Sequence, residues 1–512
     1  MNEWSSGYVS DIGYTFGYYR ELNPLQVKLA MLNVGLEYPD VGTACELGFG
    51  QGLGLNLHAA ASDIKWTGTD FNPAQASFAQ DLAKISGSGL ETSDESFEDY
   101  LNRPDLPNYD YIGLHGIWSW VSDENRKIIV EFIRRKLRVG GILYISYNTL
   151  PGWATFAPVR HLMTEHASVL GAEGTGTVSR VDEALKFTDR LFKTNPLFSR
   201  ANTSVVERLK KVEEQDRHYL AHEYFNKDWH PMHFATMAEW LAPAKLEYAC
   251  SAEYLSHIDA INLSEEQQKF LNEVPDVNFR ESVRDFMVNQ QFRKDYWVKG
   301  KRRMPELERA EELRKQRVVL IVNRADIKLE VTGSIGKADL TESIYVPILD
   351  LLESNMIMSI GEIESALAGK SIQFTQILQA VMVLAGASHL AAVNSEESIK
   401  RARKSTEKVN SHLMKVARSN GDSSYLASPV TGGGIAVDRF KQLFILAIHN
   451  GKKTPQEWSD FAWQILSVQG VKLIIDGKTI ETDEENIALL LNKATEFESK
   501  NLKLLKALQI VL

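Results

Sequence analysis

The sequence predicts an α/β protein built on a doubly wound, mostly parallel sheet. Three observations predict it. Apolar strand-like runs alternate with helical periods through residues 40–150. A turn with glycines at 48, 50, 52 and 54 separates the first such run from the first helix, where ligands of these sheets bind. Two more strand-like runs arrive late, at the end of "MHFATMAEWLAPAKLEYACSAE" and in "FRKDYWVKG", and read as the closing pair of a seven-stranded sheet.

The elements follow in order. "GTACELG" is a short apolar strand and "GLGLNLHAAAS" the helix after it. "IKWTGTDF" is the second strand, and Pro73 then sits in the first turn of the helix "AQASFAQDLAKIS", a favoured place. "LETSDES" reads as a third strand, ending at Ser96 and Phe97, and "YDYIGLHGI" as a fourth. "DENRKIIVEFIRRKL" is a helix with Asp and Glu in its first turn. "GGILYISYN" is a fifth strand, entered by Gly140 and Gly141. Residues 155–232 and roughly 253–288 read as helical insertions. Their apolar faces fit intrachain packing first and a dimer contact second. "KRRMPELERAEELRKQR" alternates in charge sign, as a solvated linking helix does. "RVVLIV" and "IKLEVTGS" read as short strands. "SIGEIESAL" and "TQILQAVMVLAGASHLAAV" then have the helix, turn, helix, short-strand rhythm of a winged helix. The expected organisation is a core at 1–154, a helical insertion at 155–232, closing strands with a helical insertion at 233–300, a charged linker at 301–330 and a largely helical, winged-helix-like part at 331–512.

Composition narrows the function. The 512 residues are too many for one ordinary core. A net charge of −10 gives the protein as a whole no polybasic surface for nucleic acid or acidic lipid, with a local basic patch left open. Cys45 and Cys250 lie far apart, which fits neither a disulfide framework nor a cysteine zinc cluster. The polar start "MNEWSSGYVSD" has no signal-peptide core. The apolar run from 377 to 393 is interrupted by Gln379, Gly386, Ser388 and His389, and reads as a buried helix. Cytoplasm is the default expectation.

The glycine turn has three candidate ligands. A phosphate loop needs Lys-Ser or Lys-Thr after its glycines, and none follows. The dinucleotide pattern G-x-G-x-x-G fails because its third position falls on Leu53 or Leu55. S-adenosylmethionine carries no phosphate, but has an ammonium and a sulfonium. It asks for a turn free of side chains with a carboxylate near the cations, which Glu46, Gly48, Gly50 and Gly52 supply. Beside a pyrophosphate Glu46 would repel, by roughly 1 to 4 kcal/mol at about 4 Å; beside a cation it attracts. Asp70, about 20 residues beyond the glycines, is placed to accept ribose hydroxyls, and Phe97 to pack on an adenine.

"ELGFGQG", "TGTDFNP" and "YNTLPGW" resemble the class I S-adenosylmethionine-dependent methyltransferases. Within them the chain is similar to the branch that carries a methyltransferase regulatory domain. "DIGYTFGYYRELNP" resembles its N-terminal segment, from which Thr15 and Gly17 depart. "HGIWSWVSDENR" resembles its fourth-strand motif, and "DRHYLAHEYFNKDWHPMHF" and "RDFMVNQQFRKDYWVKG" its middle section. The resemblance covers residues 8–300 clearly and the remainder loosely. It implies a Rossmann-like methyltransferase sheet, homodimerisation through helical parts, and S-adenosyl-L-methionine as cofactor. Through the rickettsial-type protein lysine methyltransferases it also implies lysine methylation of an outer-membrane type protein. The expected cofactor set is Glu46, Gly48, Gly50, Gly52, Asp70, Phe71, Ser96, Phe97, Tyr14 and His115.

Methyl transfer to an amine needs a neutral, aligned acceptor in a slot that tolerates a cation. The fourth-strand exit offers His115, Trp118 and Trp120; the fifth offers Tyr147, Asn148 and Trp153. His115, Trp118, Tyr147 and Asn148 are the acceptor-channel candidates, with His115 weighed as a general base. Tyr8, Tyr14, Phe16, Tyr18 and Tyr19 could fold over the cofactor as a lid. His218, His222, Glu223, His230 and His233 lack the H-E-x-x-H order, and no metal is expected. Two other functions compete: a small-molecule or glycan methyltransferase, and a non-catalytic cofactor-binding regulator.

Overall fold

The computed structural model describes residues 16–171, 175–354, 356–475 and 478–511. The chain enters through α1 (Pro24–Asn33). It then alternates: β1 (Thr43–Leu47), α2 (Leu53–Ala61), β2 (Lys65–Thr69), α3 (Pro73–Ser86), β3 (Glu91–Ser93), α4 (Phe97–Asn102), β4 (Tyr109–Leu114), α5 (Asp123–Lys136) and β5 (Leu137–Asn148). Five helices follow: α6 (Ala157–Val169), α7 (Thr177–Lys193), α8 (Leu197–Ala201), α9 (Thr203–Glu213) and α10 (Arg217–Tyr224). β6 (Leu246–Ser251) and β7 (Phe292–Lys299) complete one seven-stranded sheet of order β3-β2-β1-β4-β5-β7-β6. The first five strands pair in parallel, and β7 inserts antiparallel with Tyr144 opposite Tyr296.

Local chemistry sets the elements. β4 is buried along its whole length, as a central parallel strand covered on both faces must be. α3 starts on the Asn72 cap with Pro73 at its first position and stops at left-handed Gly87. α5 is capped by Ser122, with Asp123 and Glu124 in the first turn and Arg134 to Lys136 in the last, so its charges oppose the helix dipole. Two boundaries move from the sequence reading. Leu137 belongs to β5 rather than to α5. The third strand stops at Ser93, because Ser96 accepts the Asp99 amide at 3.1 Å and caps α4, drawing Ser96 and Phe97 into a helix start.

The C-terminal half packs on the sheet rather than hanging from it. Leu53, Leu57 and Leu82 of α2 and α3 share a core with Leu413, Met414 and the hairpin Tyr425–Ser428/Gly433–Ala436. The segment 301–330, read as a charged linker, carries the helix Glu306–Lys315 and the strand Arg317–Leu320. That strand is the middle of three, pairing with Met358–Ser359 and Leu390–Ala392, and its Val318, Val319 and Leu320 are fully buried. The solvated helix and the strand within "RVVLIV" are both as read from the sequence, and the three-stranded pairing is what the fold adds. The apolar run at 377–393 is largely the buried helix Phe374–Gly386, and no described helix is long and apolar enough to cross a membrane.

Candidate functional site

The turn between β1 and α2 is fixed by its glycines. Gly48 and Gly52 hold φ of +70° and +69°. A Cβ on Gly48 would lie 2.5 Å from Ile117 Cδ1, and one on Gly52 2.6 Å from the Ala79 methyl. Both positions therefore exclude a side chain by conformation and by space. Gly50 N donates to Asp70 Oδ2 at 2.8 Å, and Asn72 N donates to Asp70 Oδ1 at 3.0 Å. Asp70, at the exit of β2, thus ties the turn to the next strand. Each of its oxygens keeps acceptor capacity for a ligand hydroxyl.

Glu46 lies beneath this turn, 5% exposed, and its Oε2 has no hydrogen-bond partner among the described residues. Burial, with the nearby Asp70 charge, pushes its carboxyl up to about 8. Burial also lifts Asp70 to about 6, against the two amides that favour its charged form. A buried, orphaned carboxyl is costly unless something cationic completes it.

The turn opens on a cavity of about 180 Å³. Glu46, Gly48 and Gly50 line one side, Asp70, Phe71, Ser96 and Phe97 a second, and His115, Ile117, Trp120 and Tyr19 a third. Gly52 is not in its wall and acts through its contact with Ala79. Tyr14 and Tyr8 lie outside the described residues. Four carboxylates line the cavity, Glu46, Asp70, Glu95 and Asp228, and among the described residues no lysine or arginine does. A phosphate would find no counter-charge there, whereas a cation would find several. Sequence reasoning missed Gln75, Glu95, Asn125 and Asp228; Gln75 and Glu95 lie within about a helical turn of recognised positions, Asn125 lies on the helix after Trp120, and Asp228 comes from a distant loop.

His115 is the acceptor-channel candidate that the cavity contains. Its Nδ1 is 2.7 Å from Tyr144 Oη, and its ring stacks on Tyr19 with centroids 3.5 Å apart. Burial lowers its pKa to about 3. Burial thus makes it a weak proton acceptor at neutral pH, which argues for a wall residue over a general base. Trp118 is fully buried, with Nε1 donating to Met232 Sδ at 3.4 Å. Tyr147 is equally buried and donates to Asp295 Oδ2 at 2.8 Å. The period of two along β5 explains this: Tyr144 and Ser146 face the cavity side, meeting His115 and the Gly116 amide, and Tyr147 faces the other layer. Asn148 accepts from Trp153 Nε1 at 3.0 Å, in the helical insertion rather than in the cavity wall. Of the N-terminal aromatics, Tyr19 lines the cavity, while Tyr18 packs between His58 and Tyr425 and Phe16 against Phe78. Among the described residues no group of three or more His, Cys, Asp or Glu is placed to hold a metal.

Residues 216–299 match the family model described as a predicted methyltransferase regulatory domain. The chain is 39% identical over 512 residues to the Synechocystis sp. protein sll1526, across 99% of each. The chain belongs to one family with that protein, and it carries the stretch that the family model describes. A Rickettsia prowazekii protein, RP789, is 27% identical over 283 residues, 54% of this chain and 49% of that protein. The fold is also that of PKMT2 from Rickettsia typhi, whose structure in complex with AdoHcy superposes with a TM-score of 0.68 at 17% identity, over 94% of this chain and 98% of that one. In this methyltransferase fold the regulatory-domain stretch reaches the site itself. It supplies Asp228 to the cavity, and its His230 and Met232 amides donate to Ser119 and Asn148 carbonyls at 2.8 and 3.0 Å.

Proposed function

We propose that this chain transfers the methyl group of S-adenosylmethionine to lysine side chains of a protein. The observation that carries the cofactor is the acid-lined cavity with the orphaned Glu46 Oε2 at its glycine turn. Bound there, S-adenosylmethionine supplies an electrophilic methyl group on a positively charged sulfur. Glu46 would hold the ammonium of its amino-acid end, and Asp70 the ribose hydroxyls. Phe71, Ser96 and Phe97 border the space for the purine. His115, neutral and pinned by Tyr144 and Tyr19, shapes the wall without adding a cation that would repel the sulfonium. The lysine acceptor, and an outer-membrane type protein as its bearer, are supported by the motif resemblance to rickettsial-type protein lysine methyltransferases.

Incubation with methyl-labelled cofactor and a bacterial lysate tests the reading. Label is expected in protein, recovered as methyl-lysine after hydrolysis, and removed to small peptides by protease pretreatment. Label confined to metabolites or glycans in both samples would reject the protein substrate and leave the cofactor assignment intact.

A further inference from the structure

Beyond the cofactor cavity, the helical insertion holds a second carboxyl with no ion-pair partner among the described residues. Glu223 lies on α10, partly buried, and its backbone carbonyl accepts from Trp120 Nε1 at 3.2 Å. Trp120 also lines the cofactor cavity, so one indole borders that cavity and meets the α10 backbone at Glu223. Asn148, 1% exposed, stands behind Glu223. Its Oδ1 is taken by the Trp153 indole, which turns Nδ2 the other way. That nitrogen closes no hydrogen bond of ordinary geometry, yet it lies against the Glu223 carboxyl and favours its charged form. Trp229 Nε1 is buried and unpartnered too, with Trp153 and Trp229 packed edge to face at 4.9 Å. Two arginines are near but turned to other tasks. Arg160 stacks on Trp229 at 5.0 Å and donates to the Asn226 carbonyl. Arg208 covers Trp153 at 4.1 Å and donates to the Gly152 carbonyl at 3.4 Å.

Resting on the methyltransferase reading above, we infer that Glu223, oriented by Asn148, is the acceptor-side carboxylate: it receives a substrate alkylammonium among the surrounding aromatic rings and removes its proton. One N–H bond of the ammonium breaks and one O–H bond forms on Glu223. The nitrogen lone pair so released forms the new C–N bond as the methyl–sulfur bond breaks, its electron pair remaining on sulfur. Burial raises the Glu223 carboxyl to about 7, opposed by Asn148, Arg160 and Arg208, which suits an acceptor of protons near neutrality. Tyr219 and Tyr224 on its own helix, Arg160 on α6 and Arg208 on α9 interact with its charge, and Asp228 beyond α10 acts on Arg160. Burial makes His115 a weak proton acceptor, and Trp120, which lines the cavity, meets the Glu223 backbone carbonyl.

The test uses full-length protein with ¹⁵N-labelled tryptophan, saturated with AdoHcy and titrated with n-butylammonium, with n-butanol as the uncharged control. Saturable shifts of the Trp120 and Trp229 indole signals are expected with the amine and not with the alcohol. Glu223→Gln should weaken them at least 10-fold while binding AdoHcy as the wild type does. In turnover the wild-type rate should level off above about pH 7, and that of Glu223→Gln should fall about 100-fold and keep rising with pH. Amine-induced shifts absent from these two indoles in the wild type, or equal in Glu223→Gln, would overturn the inference, and the wild-type titration decides even if the variant does not fold. Failure to bind AdoHcy at all would instead remove the cofactor reading.

Discussion

Two groups of buried carboxyls sit on the same sheet and have opposite fates. At the exits of β1 and β2, Glu46 and Asp70 share a space with no lysine or arginine among the described residues of its wall. On β7, Arg293 stands among three acids. Its Nε donates to Asp295 at 2.8 Å, Nη1 to Asp285 at 2.6 Å and Nη2 to Glu281 at 2.9 Å, and its cation lies 4.4 Å from the Phe234 ring centre. The second group carries its own counter-ion and is part of the fold. The first has none among the described residues, which is the basis for proposing a cationic ligand there. Buried charge is thus uninformative about function until its partner has been counted.

The sharpest way to break this contrast is to remove the internal cation. Arg293→Ala should cost about 3–5 kcal/mol of stability, read by urea unfolding, because three acids then share a buried space. Equal loss from Glu46→Gln would erase the distinction. Glu46→Gln should instead weaken AdoHcy binding 10- to 1,000-fold, measured by calorimetry, and leave the unliganded protein as stable or more stable.

The pH dependence follows from the sign of the Glu46 shift. Its folded pKa, about 8, lies above the ordinary carboxylate value of 4.5, so the unliganded fold holds a proton that the unfolded chain has lost. That contribution is complete below about pH 4.5 and disappears as pH rises through 8. At pH 7 a cationic ligand should therefore expel up to one proton from Glu46. Calorimetry of AdoHcy in buffers of different ionisation enthalpy reads this directly, and Glu46→Gln should abolish it. The smallest effect is expected from Asp285→Asn. Asp285 Oδ2 has no partner and burial lifts this carboxyl to about 7, while Oδ1 alone accepts from Arg293, a contact that an amide oxygen keeps. A change of within about 1 kcal/mol is expected by the same unfolding measurement.

Legibility in the sequence tracked locality. The strand–turn–helix at 43–61 and the Glu46–Gly48–Gly50–Gly52 spacing could be read because backbone turns are decided within a few residues. Tyr147 reads as a channel residue because its neighbourhood in sequence is right. Only the pairing of β5 with β4 and β7 settles which alternate residues face the cavity. Glu223 stood in plain view beside two histidines, yet its setting draws on Trp120, Asn148, Arg160 and Arg208, spread over about a hundred residues.

By itself the sequence determined the α/β alternation, the phosphate-free glycine turn and the carboxylate before it, since periodicity, φ preference and charge are properties of short stretches. The tertiary structure decided which carboxyls have counter-ions and which rings meet across the cavity. It also placed the C-terminal half against α2 and α3, because those outcomes depend on which distant segments share a buried space.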